Sequence, residues 1–184
     1  MHDTDRRVIY TKKILRSSLM KLLEEKSIGR ISVTELCNAA GVNRGTFYSH
    51  YRQPEDVMHQ IENELISQIE EVLEKESDMV EIHKRILSIL ENHRSECRVL
   101  VGPNGDDELM QRILGISAEY FKRTWQAELN ISDEKTHYVH TFLFAGTAEV
   151  IKEWIINDDS RTSEDIMEII NGIHKSIFMG GILG

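Results

Sequence analysis

Apolar residues return at helical spacing along nearly the whole chain, and the breaks between these runs mark where helices begin and end. Ile14, Leu15, Leu19, Leu22 and Leu23 share one face with basic residues between them. The pattern predicts a first helix from about Arg7 to Lys26, ended by Gly29. Ser32-Val33-Thr34-Glu35 is a capping box, in which the serine hydroxyl accepts from the Glu35 amide and the carboxylate reaches back. It opens a second helix carrying Val33, Leu36 and Ala40 on one face and closing at Gly41, which accommodates a left-handed exit. Asn43 caps a third, short helix from Arg44 to His50. Residues 32 to 50 therefore read as helix, glycine turn, helix. The plainer alternative is an ordinary helical hairpin.

Pro54 followed by Glu55 and Asp56 suits the first turn of a fourth helix, since proline lacks only an amide that has no partner there and acids favour the positive dipole end. Val57, Ile61, Leu65, Ile69 and Val72 or Leu73 extend it to about Lys75, long enough to join two domains. Further helices are expected at about Met79 to His93, Asp107 to Leu114, Ser117 to Leu129, Ser132 to Asn157 and Thr162 to Met179. No repeat, low-complexity tract or sheet-like alternation interrupts them. The expectation is an all-α chain of about nine helices, divided into a helix-turn-helix domain (1–52) and a helical regulatory and dimerisation domain (53–184).

Composition agrees: the 184 residues include only two prolines and are 40% hydrophobic. Charge adds more. The formal charge is −9, yet ten of the 22 Lys and Arg and only five of the 31 Asp and Glu lie through Arg52, which is +5 against −14 for the remainder. A basic N-terminal third on an acidic body fits a face for a polyanion. Cys37 and Cys97 form no close pair and read as buried, inert thiols in a reducing compartment. No apolar signal core or bilayer-length run occurs, so a soluble cytoplasmic protein with no membrane partner is expected.

The segment Gly41 to Tyr51, GVNRGTFYSHY, holds the candidate chemistry. A recognition helix needs short polar groups where it enters the major groove and phosphate grips on either side. Arg44 suits guanine edges or phosphate, Thr46 a thymine methyl, and Tyr48, Ser49, His50 and Tyr51 the backbone phosphates. Phe47 is expected to face inward.

The string ISVTELCNAAGVNRGTFYSHYRQPEDV resembles the DNA-binding segment of the TetR family of bacterial transcription regulators, over about Ile14 to Ile61. The resemblance implies a three-helix DNA-binding domain joined by the fourth helix to a helical ligand-binding and dimerisation body. It assigns Ser32 and Thr34 to phosphate contact, and Asn43, Arg44, Gly45, Thr46 and Tyr48 to base reading or groove lining. Ser49, His50 and Tyr51 match backbone-gripping positions. This chain departs from the family pattern at the start of the fourth helix, where Pro54 stands in place of the usual lysine. Arg52 or the helix-four amides are the available substitutes, and Arg52 is the expected one. Further on, LVGPNGDDELMQRI, from Leu100 to Ile113, is similar to the C-terminal domain of dihydroxyacetone kinase activator-like regulators. A Pro103-Asn104-Gly105 turn and an Asp106 or Asp107 cap account for most of that segment without a ligand.

The last two helices carry more apolar surface than a terminal pair should leave in water. The resemblance assigns them to a four-helix homodimer interface, here Phe142, Gly146, Val150, Trp154, Ile166, Ile169, Ile170, Ile173 and Ile177. Packing within one subunit is the alternative. His137 and His140 near Glu134 have metal-compatible spacing but read better as surface or interface histidines. No GxSxG, HExxH, GxGxxG or P-loop string arranges the carboxylates, so no catalytic residue, metal or cofactor is expected. Tyr120, Phe121, Trp125, Tyr138, Phe142, Phe144 and Trp154 suit a cavity or plain core, and no ligand residue is named. The function expected is a sequence-specific repressor that binds a palindromic double-stranded operator as a homodimer and is released by a small effector. The rival is a co-activator of the same fold acting through a protein partner.

Overall fold

The computed structural model describes residues 3–105, 109–113, 115–116, 120, 133–157 and 160–179. All regular structure among them is helical: α1 (Asp3–Glu25), a 3-10 turn (Ile28–Arg30), α2 (Val33–Ala40), α3 (Arg44–Tyr48), α4 (Pro54–Lys75), α5 (Met79–Asn92), α6 (Arg94–Leu100), α7 (Asp133–Ile156) and α8 (Ser163–Met179). α1 starts earlier than its apolar pattern, because polar residues 3–6 give periodicity nothing to register. α3 stops at Tyr48, two residues short of the expected end, with the Ser49 amide closing on Gly45 O. α6 was hidden in the sequence, since seven residues are too few to show a repeat. The helices expected at Asp107 to Leu114 and Ser117 to Leu129 lie only in part within the described residues, of which 109–113, 115–116 and 120 are helical.

The chain packs as two units. The first comprises Met1–Leu65 with Arg98–Asp106. Leu15, Leu19 and Leu23 of α1, Leu36 of α2, Phe47 of α3, Val57, Met58, Ile61 and Leu65 of α4, and Leu100 are all buried in it. Burial of this size drives the association of helices too short to be stable alone. Arg16 pairs with Glu64, and Lys26 Nζ lies 2.5 Å from Glu35 Oε1, so α1 is tied to both α4 and α2. The stretch after α6 returns to α1, where Asn104 Nδ2 donates to Glu24 O at 3.3 Å. Its turn closes with Gly105 N–H to Gly102 O at 3.0 Å. A Cβ at Gly105 would sit 1.8 Å from Leu100 O, so no other residue fits that backbone approach.

The second unit comprises Ile66–Cys97 and Asp107–Gly184. Ile69, Val72 and Leu73 of α4 and Ile82 of α5 form one cluster, with Ile113, Ile116 and Tyr120 against it. Trp154 anchors the end of α7: its indole N–H donates to Arg161 O at 2.9 Å, and Arg94 lies 4.8 Å from the ring centroid. Arg94 also donates to Trp154 O at 2.6 Å and Asn157 O at 3.3 Å, satisfying carbonyls at the helix C-terminus.

Part of the expected dimer face lies in the interior of the single chain. Trp154, Ile166 and Ile170 are each 2% exposed, their side chains buried within this chain. Phe142, Gly146, Ile169 and Ile173 are exposed, and Val150 and Ile177 half-buried. An open groove of about 170 Å³ runs among them, lined by apolar side chains with Thr147 and His174 as its polar members.

Behind that groove two histidines meet. His83 of α5 and His174 of α8 have ring centroids 5.4 Å apart. His83 Nδ1 lies 3.1 Å from Asn171 Oδ1 and His174 Nε2 3.0 Å from Thr147 Oγ1. Burial, aided by His83, pushes His174 down to about 4, and burial likewise lowers His83. Both rings are therefore neutral when folded and protonate more readily when unfolded. Stability should fall as pH drops from about 6.5 toward 5, by on the order of 1–2 kcal/mol after allowance for partial solvent screening. Melting temperatures across that window should flatten in His174→Gln; an unchanged slope would refute the assignment. Paired carboxylates such as Glu35 and Glu71, held low by Lys26 and Lys75, release their stabilisation only at lower pH.

Candidate nucleic-acid interface

The α2–α3 unit is built by local chemistry that the sequence specifies. Ser32 Oγ accepts from the Glu35 amide at 3.2 Å, fixing the start of α2. The Lys26 ammonium, with the Ser32 backbone amide, holds the Glu35 carboxylate below its usual range. Gly41 ends α2 at φ 64°, a conformation that side chains with a Cβ resist, and so turns the chain sharply. Asn43 Oδ1 then accepts from the Thr46 amide at 2.8 Å and starts α3.

Phe47 is fully buried and holds α3 down. Its ring lies 5.6 Å from that of Tyr48 and 5.8 Å from that of Tyr51. With that side fixed, Ser32, Thr34, Asn43, Arg44, Gly45, Tyr48, Ser49 and Arg52 are exposed, and Thr46 and His50 half-buried. Arg44 Nη2 donates to Tyr48 Oη at 3.3 Å, with the guanidinium 5.8 Å from the ring centroid. This contact orders a long side chain before any ligand arrives and reduces the entropy lost on binding. Ser49 Oγ donates to Thr46 O at 2.7 Å.

Tyr51 is placed apart from the others. Its ring is 8% exposed, its hydroxyl donates to Gln60 Oε1 at 2.6 Å, and Lys12 Nζ sits 5.8 Å from its centroid. It joins α1, α3 and α4 and so positions the exposed residues before it. Sequence alone missed this, because a tyrosine beside a polar run carries no sign of which way it turns.

At the start of α4, Asp56 Oδ2 accepts from the Arg52 amide at 2.7 Å and the Gln53 amide at 3.2 Å. Those two amides, which precede α4, are taken by an internal acid, while the Arg52 side chain is exposed. The signal was in the sequence: Asp56 stands three residues after Gln53, the spacing of a helix-start acid. Arg52→Ala is expected to lower the slope of log affinity against log salt by about 0.9 per half-site, with retained helicity. A slope equal to that of the unsubstituted protein, measured by fluorescence anisotropy, would exclude it.

Other chemistry is sparse among the described residues. No group of three or more His, Cys, Asp or Glu is arranged to hold a metal. The side chains of Glu134 and His140 lie outside the described ones, as do Phe121, Trp125, Asp106 and Asp107. Cys37 and Cys97 are buried. Burial raises both thiols, Cys97 to about 12 with Glu96 adding to the effect, so neither is a ready nucleophile. No helix among the described residues is long and apolar enough to cross a membrane.

Comparison with known proteins supplies independent findings. A TetR C-terminal family model, described as transcriptional regulator C-terminal region, matches residues 77–176. The fold is similar to a TetR transcriptional regulator from Streptococcus agalactiae, with TM-score 0.68 and 21% identity over 92% of this chain and 96% of that one. It is similar also to the fatty acid degradation regulator from Bacillus halodurans, with TM-score 0.62 and 17% identity over 93% and 95%. The dihydroxyacetone kinase operon activator aligns with TM-score 0.59 and 17% identity over 91% and 96%. At these identities the solved structures speak to fold.

Proposed function

Because the chain belongs to the TetR family of transcriptional regulators, we propose that it is a repressor that binds a palindromic operator through α2 and α3 and is released by a small effector. The observation that carries this reading is the exposed polar face around Arg44 and Tyr48, capped at Asn43 and held from behind by the buried Phe47. Ser32, Thr34, Ser49, His50 and Arg52 flank it as phosphate contacts, and Asn43, Arg44, Gly45, Thr46 and Tyr48 line the groove. Tyr51 supports the arrangement from inside. Residues 1–52 serve as the reading domain and 53–184 as the regulatory and dimerisation domain of a cytoplasmic protein.

The reading requires two copies, since a palindrome one helical turn of about 34 Å between half-sites matches a two-fold protein. Phe142, Gly146, Ile169 and Ile173, with the half-buried Val150 and Ile177, offer the apolar face for self-association. Effector binding in the acidic body would change the spacing of the two reading heads through α4.

Selection of bound fragments from random DNA, at low and moderate salt and with candidate effectors, tests the whole reading. A palindromic consensus is expected. Arg44→Ala should weaken binding to it by about 10- to 100-fold, corresponding to about 1–3 kcal/mol for a base-reading arginine, with helicity and dimer mass retained. Recovery of no consensus at low salt, or of a strictly monomeric protein by sedimentation, would send the function to a protein partner instead.

A further inference from the structure

Two kinds of contact join α4 to the rest of the first unit, and they constrain it differently. Met58, Ile61 and Leu65 are buried there together with Leu15, Leu19 and Phe47. Apolar burial holds surfaces together without fixing the angle between them closely, because it depends on area and not on direction. Hydrogen bonds weaken steeply when bent, so they do fix an angle. A chain of them lies beside the apolar contact. Tyr51 Oη donates to Gln60 Oε1 at 2.6 Å, Gln60 Nε2 donates to Glu64 Oε1 at 2.9 Å, and the other Glu64 oxygen accepts from Arg16. Lys12, one turn before Arg16 on α1, closes the circuit with its ammonium 5.8 Å from the centroid of the Tyr51 ring.

Each member suits its place. The Tyr51 amide donates to Phe47 O at 2.9 Å and its ring packs on that of Phe47, so Tyr51 moves with α3. Gln60 and Glu64 stand one turn apart on one face of α4, as Lys12 and Arg16 do on α1. The Gln60 amide has one sense here, its NH2 group facing the Glu64 carboxylate and its oxygen the tyrosine. Burial, with Glu64 adding to it and Arg16 opposing, raises the Tyr51 hydroxyl above its ordinary range, so it remains a donor at neutral pH. The chain ends on an ion pair, and charge at that end polarises the neutral bonds before it. A directional circuit through α1, α4 and the end of α3 thus adds orientation to packing that already supplies cohesion.

We propose that this circuit, with Gln60 at its centre, sets the angle between the reading helix and α4 and so makes the protein selective for the distance between operator half-sites. The inference rests on the two-headed reading proposed above. In such a protein α4 carries each head, and one base pair added between half-sites displaces them by about 3.4 Å and turns them by about a tenth of a circle. A head locked to α4 cannot follow that change and loses base contacts. A head free to swivel on its apolar contact follows part of it. Tyr51, Gln60, Glu64 and Arg16 are positioning residues, acting on specificity through the direction in which α3 presents Arg44 and Tyr48.

The test uses the full-length protein and the operator obtained by selection, with its centre intact, shortened by one base pair or lengthened by one. Affinities are measured by anisotropy at a single salt concentration. The unsubstituted protein should bind the intact spacing on the order of 100-fold more tightly than either altered one, as for the loss of one or two base contacts. In Tyr51→Phe, which keeps the ring, and in Gln60→Met, which keeps the length of the side chain, that ratio should fall to about tenfold, while affinity for the intact spacing drops only several-fold. The double variant should match either single one, since both changes break the same circuit. A merely structural role gives a different result, because partial unfolding lowers the active fraction and scales all three affinities alike, leaving the ratio unchanged. Arg44→Ala should likewise weaken all three and keep the ratio. The proposal is overturned if Tyr51→Phe and Gln60→Met retain the parental ratio. Equal binding of the unsubstituted protein at every spacing, or binding at none, would overturn the two-headed reading itself and the role of the circuit with it.

Discussion

Phe47→Ala is expected to cost about 3–5 kcal/mol and to remove DNA binding with it, the largest effect foreseen for a single change in the reading unit. The ring is fully buried, and Tyr48 and Tyr51 pack against it at 5.6 and 5.8 Å. α3 has five residues, far too few to persist on its own propensity, so it depends on this buried ring to hold it against the core of the first unit. Truncation leaves a cavity on the side that orients Arg44 and Tyr48. Urea denaturation should show a lowered midpoint for the first unit, and operator affinity should drop even where most of the protein remains folded. Tyr48→Phe is the matched control: it keeps the packing and loses only the hydroxyl, so stability should change little while affinity falls. If Phe47→Ala melted like the parent, the anchoring role would be wrong.

Arg94→Ala should destabilise the second unit by about 2–4 kcal/mol. One guanidinium donates to Trp154 O and Asn157 O and also lies over the Trp154 ring. Its removal leaves the C-terminal carbonyls of α7 without a cationic donor and opens the face of the indole. Arg94→Lys should recover only part of the loss, because an ammonium lacks the planar fork that donates and stacks together. Thermal denaturation checks the magnitude. Hydrogen exchange checks the location, since faster exchange should concentrate in the last turn of α7 and the first turn of α8. Uniform acceleration throughout the unit would contradict a local clamp.

Where local chemistry dictates a feature, the sequence was readable. Ser32, Gly41 and Asn43 act within a few residues of themselves, and their caps and turn stand where the spacing predicts. Phe47 was legible for a similar reason, as the single large apolar side chain in a polar five-residue helix. Features that depend on distant partners were not. Nothing in an isoleucine or tryptophan states whether its neighbour belongs to the same subunit, so Trp154, Ile166 and Ile170 looked no different from Phe142, which is 69% exposed. Tyr51 and Lys12 meet only because α1 and α4 run side by side. α6 is too short for periodicity.

Leu100 and Val101 lie in the first unit although a whole segment of the second, Ile66–Cys97, precedes them in the chain. The two units are thus interleaved in sequence rather than strung one after the other. An amino-terminal fragment cut at Leu65 would lack the side chains that seal its own interior and the Asn104 amide that caps α1. Exchange of reading heads between relatives by a single crossover would join one protein's core to another's plug. Such chimaeras should fold only when both segments travel together, which makes the stretch around Leu100 to Gly105 part of the head's inheritance.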